Sequence, residues 1–187
     1  MNEKRNVRVC PAERAGILDN SLRKIFQHPR KILKPFILDG MTVLDLGCGP
    51  GFFTFEIAKM LSNTGKVIAA DLQQGMLDKV FNKIKNTGLE HKVELHKCDH
   101  NRIGIKEPVD IVFAFWMMHE VPDQDGYFDE LLSIIKPDGL LYIVEPKFHV
   151  SKRIFDLMIE KLKDLEFEIV DFPKVFFSRT VLMTIKK

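Results

Sequence analysis

The sequence predicts an α/β protein: one mostly parallel sheet of seven strands with helices on both faces, its last strand antiparallel. Three observations carry this. Five apolar runs of strand length alternate with amphipathic helical stretches, the arrangement that builds parallel sheets. The first run, residues 43–46, opens onto a loop with glycine at every second position, Gly47, Gly49 and Gly51. The last two apolar runs follow one another with no helix between them, so they must pair antiparallel.

Residues 1–20 have weak periodicity, interrupted by Pro11 and Gly16, and are expected to form an arm with one short helix. Leu22, Ile25 and Phe26, then Ile32, Leu33, Phe36 and Ile37, fall at helical spacing broken by Pro29 and Pro35, and Asp39-Gly40 turns into the first strand. Residues 1–39 are therefore read as an N-terminal helical arm or lid, and residues 40–187 as the main domain. Val43, Leu44 and Leu46 make a short buried strand that also carries Asp45, a carboxylate costly to bury without a donor. A helix over residues 52–61, free of internal Gly and Pro, would aim its N–H groups back at the glycine loop. Such a strand, loop and helix bind an anionic group.

Gly65 marks a turn into the second strand, residues 66–71, which ends at Asp71. A carboxylate there is placed to accept hydrogen bonds from both hydroxyls of a ribose; an N-cap for the next helix is its other open role. Met76, Leu77, Val80, Phe81 and Ile84 form a sheet-facing stripe closed by Thr87-Gly88. Residues 92–98 alternate as the third strand, with Asp99-His100 at its end. Residues 109–116 are almost continuously apolar, as a central strand covered on both faces must be. Residues 117–123 then lie at the carboxyl edge of the sheet, where open α/β folds place ligands.

Tyr127, Phe128, Leu131, Leu132 and Ile135 give the next helix, stopped by Lys136-Pro137-Asp138-Gly139, and residues 140–145 are the fifth strand. Ser151 is the N-cap expected for a helix carrying Ile154, Phe155, Met158, Ile159 and Leu162. Residues 167–172 and 175–185 are the last two strands, joined by a tight connection.

Composition narrows the class. With 187 residues, 45% hydrophobic and 29% charged, the chain reads as one soluble globular domain with a sizeable core. No apolar run approaches the ~20 residues of a membrane span. The first residues lack the apolar stretch of a secretory signal, so a cytoplasmic location is expected. Cys10, Cys48 and Cys98 are too scattered for a disulfide framework or a paired zinc site, and the histidines lack helical ligand spacing, so no metal is expected. Residues 1–34 carry nine basic side chains against three acidic ones, +6 there and −4 elsewhere. A basic lip would attract an anionic substrate; a solvated helix face explains the same charges.

The glycines do not fit the dinucleotide fingerprint, whose third glycine would fall at Phe52. The D-x-G-x-G-x-G pattern from Asp45 to Gly51 resembles instead the first motif of class I S-adenosylmethionine-dependent methyltransferases. The strand order matches the Rossmann-like sheet of that family over residues 40–187, and residues 115–123 look most like its branch of ubiquinone/menaquinone biosynthesis and arsenite methyltransferases. There is no Asn-Pro-Pro-Tyr or Asp-Pro-Pro-Tyr tetrapeptide, which disfavours the amino-group chemistry of nucleic-acid adenine and protein glutamine methyltransferases. No cysteine pair follows Cys98, which disfavours arsenite.

The resemblance implies S-adenosylmethionine as cofactor. Gly47, Cys48, Gly49 and Gly51 would back its methionine part, with Asp45 near the ammonium end, unless Asp45 only caps the loop. Asp71 would bind the ribose, Leu72 would pack on adenine, Asp99 would face the adenine amino group with His100 beside it, and Met76 and Phe115 would complete the site. The reaction would be in-line attack on the sulfonium methyl by a small-molecule acceptor, with nucleic acid disfavoured as a partner. His119 is the first choice as base, a turn cap being its other reading, with Glu120 beside it. Trp116, Glu145 and His149 stand at strand ends where a substrate would bind, and Phe52 and Phe53 would line the pocket or pack the core. Two other classes stay open, a nicotinamide-dependent oxidoreductase and a cofactor-binding partner protein without catalysis of its own.

Overall fold

The computed structural model describes residues 27–186. The arm over residues 1–20, Cys10, the trio Leu22, Ile25 and Phe26, and the basic residues Lys4, Arg5, Arg8, Arg14, Arg23 and Lys24 lie outside the described residues. In chain order the elements are α1 (Pro29–Leu33), β1 (Thr42–Leu46), α2 (Thr54–Met60), β2 (Lys66–Asp71), α3 (Gln74–Ile84) and β3 (Val93–Lys97). Then come β4 (Val109–Phe115), α4 (Gln124–Ile134), β5 (Ile135–Pro146), α5 (Lys152–Asp164), β6 (Phe167–Asp171) and β7 (Ser178–Ile185).

The strands form one seven-stranded sheet in the order β3-β2-β1-β4-β5-β7-β6. β3 through β5 pair in parallel, while β7 runs antiparallel to both β5 and β6, as expected for a strand reached without a crossover helix. The chain moves outward from β1 to β3, then returns to lay β4 on the other side of β1. That reversal opens a crevice beyond the carboxyl ends of β1 and β4.

Each strand's alternation assigns its side chains to two packed layers. On one face Leu44, Leu46, Ile68, Ala70, Val112 and Ala114 meet Phe128 and Leu131 of α4 and Phe155 and Leu162 of α5. On the other, Val43, Val67, Ile111 and Phe113 meet Leu33 of α1, Ile57 and Ala58 of α2, and the ring of Phe53. Ala69 packs there against Leu77 and Val80 of α3. The described part of the predicted arm lies against this layer through Leu33 and Ile37, both buried, while Leu38 and its basic residues are exposed. The Gln27 amide donates to the Phe176 carbonyl across 3.3 Å. Among the described residues no helix is long and apolar enough to cross a membrane.

Four local expectations shift. α2 begins at Thr54 rather than residue 52, because Phe52 and Phe53 turn inward and pack edge to face at 5.1 Å. Phe81 is half exposed: Met76, Leu77, Val80 and Ile84 already fill the stripe that faces the sheet. Ile135 belongs to β5 and pairs with Val109, and the next pair is Ile111 with Leu140, so residues 136–139 form an irregularity inside the strand. Lys136 ties that bulge to the Asp110 carboxylate at 2.7 Å, and the other Asp110 oxygen accepts from Thr42 N at 2.8 Å. Finally, the connection between β6 and β7 spans residues 172–177, with Phe177 at φ +54°, instead of a tight turn.

Candidate functional site

The glycine loop leaves β1 at its carboxyl end and is pinned to β2, where Ala70 O accepts from Gly47 N at 2.8 Å and from Cys48 N at 3.0 Å. Gly47 and Gly49 both sit at positive φ, +69° and +53°, a conformation that side chains disfavour. Their surroundings differ. A Cβ on Gly47 would stand 2.6 Å from the Cβ of Met117, whereas one on Gly49 would meet nothing within 4 Å among the described residues. Gly47 is required by packing; Gly49 opens onto space. Gly51 is buried beneath Val80, and the Cys48 thiol is 6% exposed, its pKa raised by burial first and then by Asp45 and Asp71.

Asp45 is buried at 2% exposure and accepts from the Thr54 hydroxyl at 2.5 Å, so the start of α2 supplies a donor for this costly carboxylate. Asp71 closes β2. One of its oxygens accepts from Gly49 N at 2.9 Å and the other from Gln73 N at 2.8 Å. The carboxylate therefore shapes the glycine loop and the approach to α3 together. Burial raises its pKa, and the backbone donors partly offset that. The Leu72 backbone N–H is a third donor to this carboxylate, which keeps lone-pair capacity for a further one.

Leu72 is half-buried beside Asp71, while Met76 is in the core at 2% exposure. Asp99 and His100 are exposed past the end of β3. The Asp99 backbone is held by Arg102 O at 3.0 Å and by the Tyr127 hydroxyl, which donates to Asp99 O at 3.1 Å. Phe115 is 6% exposed and tilts against Phe53 at 4.3 Å, a core contact on the α2 side of the sheet. The structure thus gathers Asp45, the glycines, Asp71 and Leu72 about one crevice, and leaves Met76 and Phe115 in packing positions behind it.

The second group of residues lies past β4 and β5. Trp116 takes a left-handed backbone at φ +59°, held by its N–H to Val144 O at 2.7 Å and by its indole N–H to the Ser178 hydroxyl at 3.0 Å. Non-glycine residues persist in that region only where their surroundings enforce it, and they cluster at functional sites. The Phe148 ring meets Trp116 edge-on at 5.5 Å and His149 at 4.9 Å, and His149 stacks on His119 at 5.6 Å. Phe148 is 63% exposed at the outer end of this aromatic row, while Trp116 and His119 are half-buried.

Glu145 lies beneath that row and is only 1% exposed. Its Oε1 accepts from Met118 N at 2.9 Å, and its Oε2 lies 2.5 Å from Nδ1 of His119. Burial opposes a charge on the His119 ring, but the hydrogen bond and charge of Glu145, with Glu120 behind them, outweigh it and raise the pKa. Glu120 is half-buried on the same turn. Asp123, at the end of the segment, caps α4 by accepting from Gly126 N at 3.2 Å.

Sequence reasoning missed Thr54, Phe148, Ser178 and the pairing of His119 with Glu145. Only Thr54 left a local trace, a hydroxyl at the start of a helix nine residues past a strand carboxylate. The others meet across strands that sequence spacing does not relate.

A doubly wound sheet with an open glycine loop at its reversal point and a carboxylate closing the neighbouring strand defines a nucleoside-binding α/β domain. Within that class the chain belongs to the methyltransferase domain family, whose model matches residues 37–178. It is 35% identical over 107 residues to a demethylmenaquinone methyltransferase of Lactobacillus johnsonii, a match covering 57% of this chain and 44% of that protein. It is 28% identical over 152 residues to the ubiquinone/menaquinone biosynthesis C-methyltransferase UbiE of Haemophilus ducreyi, covering 78% of this chain and 56% of the relative. The chain spans about half the length of the curated relatives it matches. A solved SAM-dependent methyltransferase from Aquifex aeolicus superposes with a TM-score of 0.83 at 28% identity, covering 95% of this chain and 100% of that one.

Proposed function

We infer that this chain is an S-adenosylmethionine-dependent methyltransferase acting on a small molecule. The carrying observation is the glycine loop held by Asp71: among the described residues Gly49 faces space that a side chain would enter, and the loop lies on the same carboxylate that closes β2. Family membership supports this over a nicotinamide-dependent oxidoreductase, and Phe52 in place of a third glycine agrees.

The residues fit the cofactor in charge and shape. Gly47, Gly49 and Gly51 give backbone without side chains at the methionine end, Asp45 adds negative charge behind them, and Asp71 offers lone pairs to the ribose. Leu72 would supply apolar surface to the base, and Asp99, exposed past the end of β3, would face the adenine amino group with His100 beside it. The cofactor, when bound, supplies a methyl group on a sulfonium, an electrophile that needs alignment more than activation.

The chain's own residues then do three things. Trp116, with Phe148 and His149, offers ring edges and faces against which an aromatic acceptor would pack at the carboxyl edge of β4. His119 would take a proton from that acceptor, with Glu120 on the same turn. Glu145 fills the floor of this site, and its buried carboxylate bears on His119. The acceptor in the name of the Lactobacillus johnsonii relative, demethylmenaquinone, carries a quinone ring, which such an aromatic row would suit.

Calorimetry tests the reading directly: S-adenosylmethionine should bind the wild-type chain, and NADH should not. A metabolite screen with a labelled methyl donor should then yield one labelled small molecule. Binding of NADH with no binding of the sulfonium nucleoside would overturn the assignment.

A further inference from the structure

We propose that Glu145 is a positioning residue that holds His119 as its Nδ1–H tautomer and leaves Nε2 as a proton acceptor, so that the molecule methylated here is one that must lose a proton. This rests on the methyltransferase reading above and adds to it the role of a buried group and a class of acceptor.

Three geometric facts converge. Glu145 is 1% exposed at the end of β5, where an uncompensated carboxylate would be expensive. Its Oε1 is already engaged by Met118 N, which fixes the orientation of the group and aims Oε2 at Nδ1 of His119 across 2.5 Å. Among the described residues no hydrogen bond reaches Nε2, on the far side of the ring, and the His119 side chain keeps 22% exposure. A neutral imidazole carries one proton. A carboxylate at Nδ1 draws that proton to its own side and makes Nε2 the lone-pair nitrogen.

The charged neighbours agree. Glu145 faces the ring from β5, Glu120 lies on its own turn, and the His149 ring stacks at 5.6 Å from the loop after β5. Two carboxylates against one stacked imidazole favour a cation at His119 once a proton arrives. An acceptor with an acidic O–H or C–H, a phenol or enol, therefore suits the site. Its proton passes to Nε2, the electron pair released forms the bond to the methyl carbon, and the carbon–sulfur pair stays on sulfur. His119 becomes an imidazolium beside Glu145, and the positive charge lost by the sulfonium is carried on the ring. An amine nucleophile attacks through a lone pair it already has and would gain little from this arrangement.

The test begins without turnover. Nitrogen-15 NMR of the cofactor-free wild-type chain should show neutral His119 protonated at Nδ1; protonation at Nε2 would overturn the proposal whatever the enzyme's activity. Glu145→Gln should move the proton to Nε2, since the amide can donate to Nδ1, and should lower the pKa of His119 toward its ordinary value. With the acceptor found in the metabolite screen, Glu145→Gln should lower kcat on the order of 100-fold. The rising limb of its pH profile should shift to lower pH, while the dissociation constant for the methyl donor stays within about twofold. Glu145→Asp, which keeps the charge, should recover part of kcat and covers the case in which the amide variant folds poorly. Unchanged kcat and an unmoved limb in Glu145→Gln would refute the positioning role. Failure of the wild-type chain to bind S-adenosylmethionine would sink the methyltransferase reading alone, because the NMR experiment needs no cofactor.

Discussion

Gly47 and Gly49 share a backbone conformation but answer to different neighbours, and substitution should separate them. Gly47→Ala drives a methyl group into Met117 and should cost about 2 kcal/mol, visible as a lower melting temperature. Gly49→Ala meets no atom of the described residues, so it should cost only the backbone strain of about 1 kcal/mol. Its Cβ enters the space assigned to the cofactor, and calorimetry should show at least tenfold weaker binding of S-adenosylmethionine. Equal binding by Gly49→Ala and wild type would place the cofactor elsewhere. His119 adds a pH dependence. Its folded pKa is raised, so the stability it contributes is full below its ordinary value of 6.5 and disappears as pH rises through the folded value. The stability gap between wild type and His119→Gln, from urea titrations across pH, should therefore be widest in acid and close toward alkaline pH. The glycines and Asp71 were legible in the sequence because the backbone demands of a tight loop restrict residue type at each position. The His119–Glu145 pair was not: 26 residues separate the partners, and only the parallel register of β4 and β5 brings them together.

Among the elements, α2 shows how a short helix can matter through one side chain. It has seven residues, and Thr54 at its start donates to buried Asp45. Thr54→Val keeps the shape and removes the donor, so it should cost about 1–3 kcal/mol in chemical denaturation. Ser151→Ala, at the cap of α5, should cost about 1 kcal/mol by loss of the bond to Ile154 N. The cap of α5 and the four units β1–α2, β2–α3, β4–α4 and β5–α5 were readable because periodicity and capping are local signals. The fifth expected unit fails, because β3 runs on to β4 with no helix between them. Nor was the end of α4 readable. Ile135 fits the helical stripe by spacing, yet pairing with Val109 draws it into β5, and the following residues fold into a bulge closed by Lys136 and Asp110. Phe81 misled for a related reason: an apolar residue beside a stripe need not be part of it once the stripe is filled.

For the molecule as a whole, the sheet grades from protected centre to open edges. β1 and β4 are flanked on both sides and buried almost throughout, whereas β6 leaves four of its five residues exposed. Amide exchange should therefore be slowest in β1, β4 and β5 and fastest in β3 and β6; uniform protection across the sheet would contradict this grading. The placement of β7 carries a further consequence. Made after β6, it nevertheless sits between β6 and the rest of the sheet, so strands cannot be added in the order in which the ribosome delivers them. β6 must wait as an unpaired ribbon, with Ile169 and Val170 bare, until a later segment arrives to tether it. During that interval the nascent chain presents its stickiest edge, and that is the moment at which a chaperone would have most to shield.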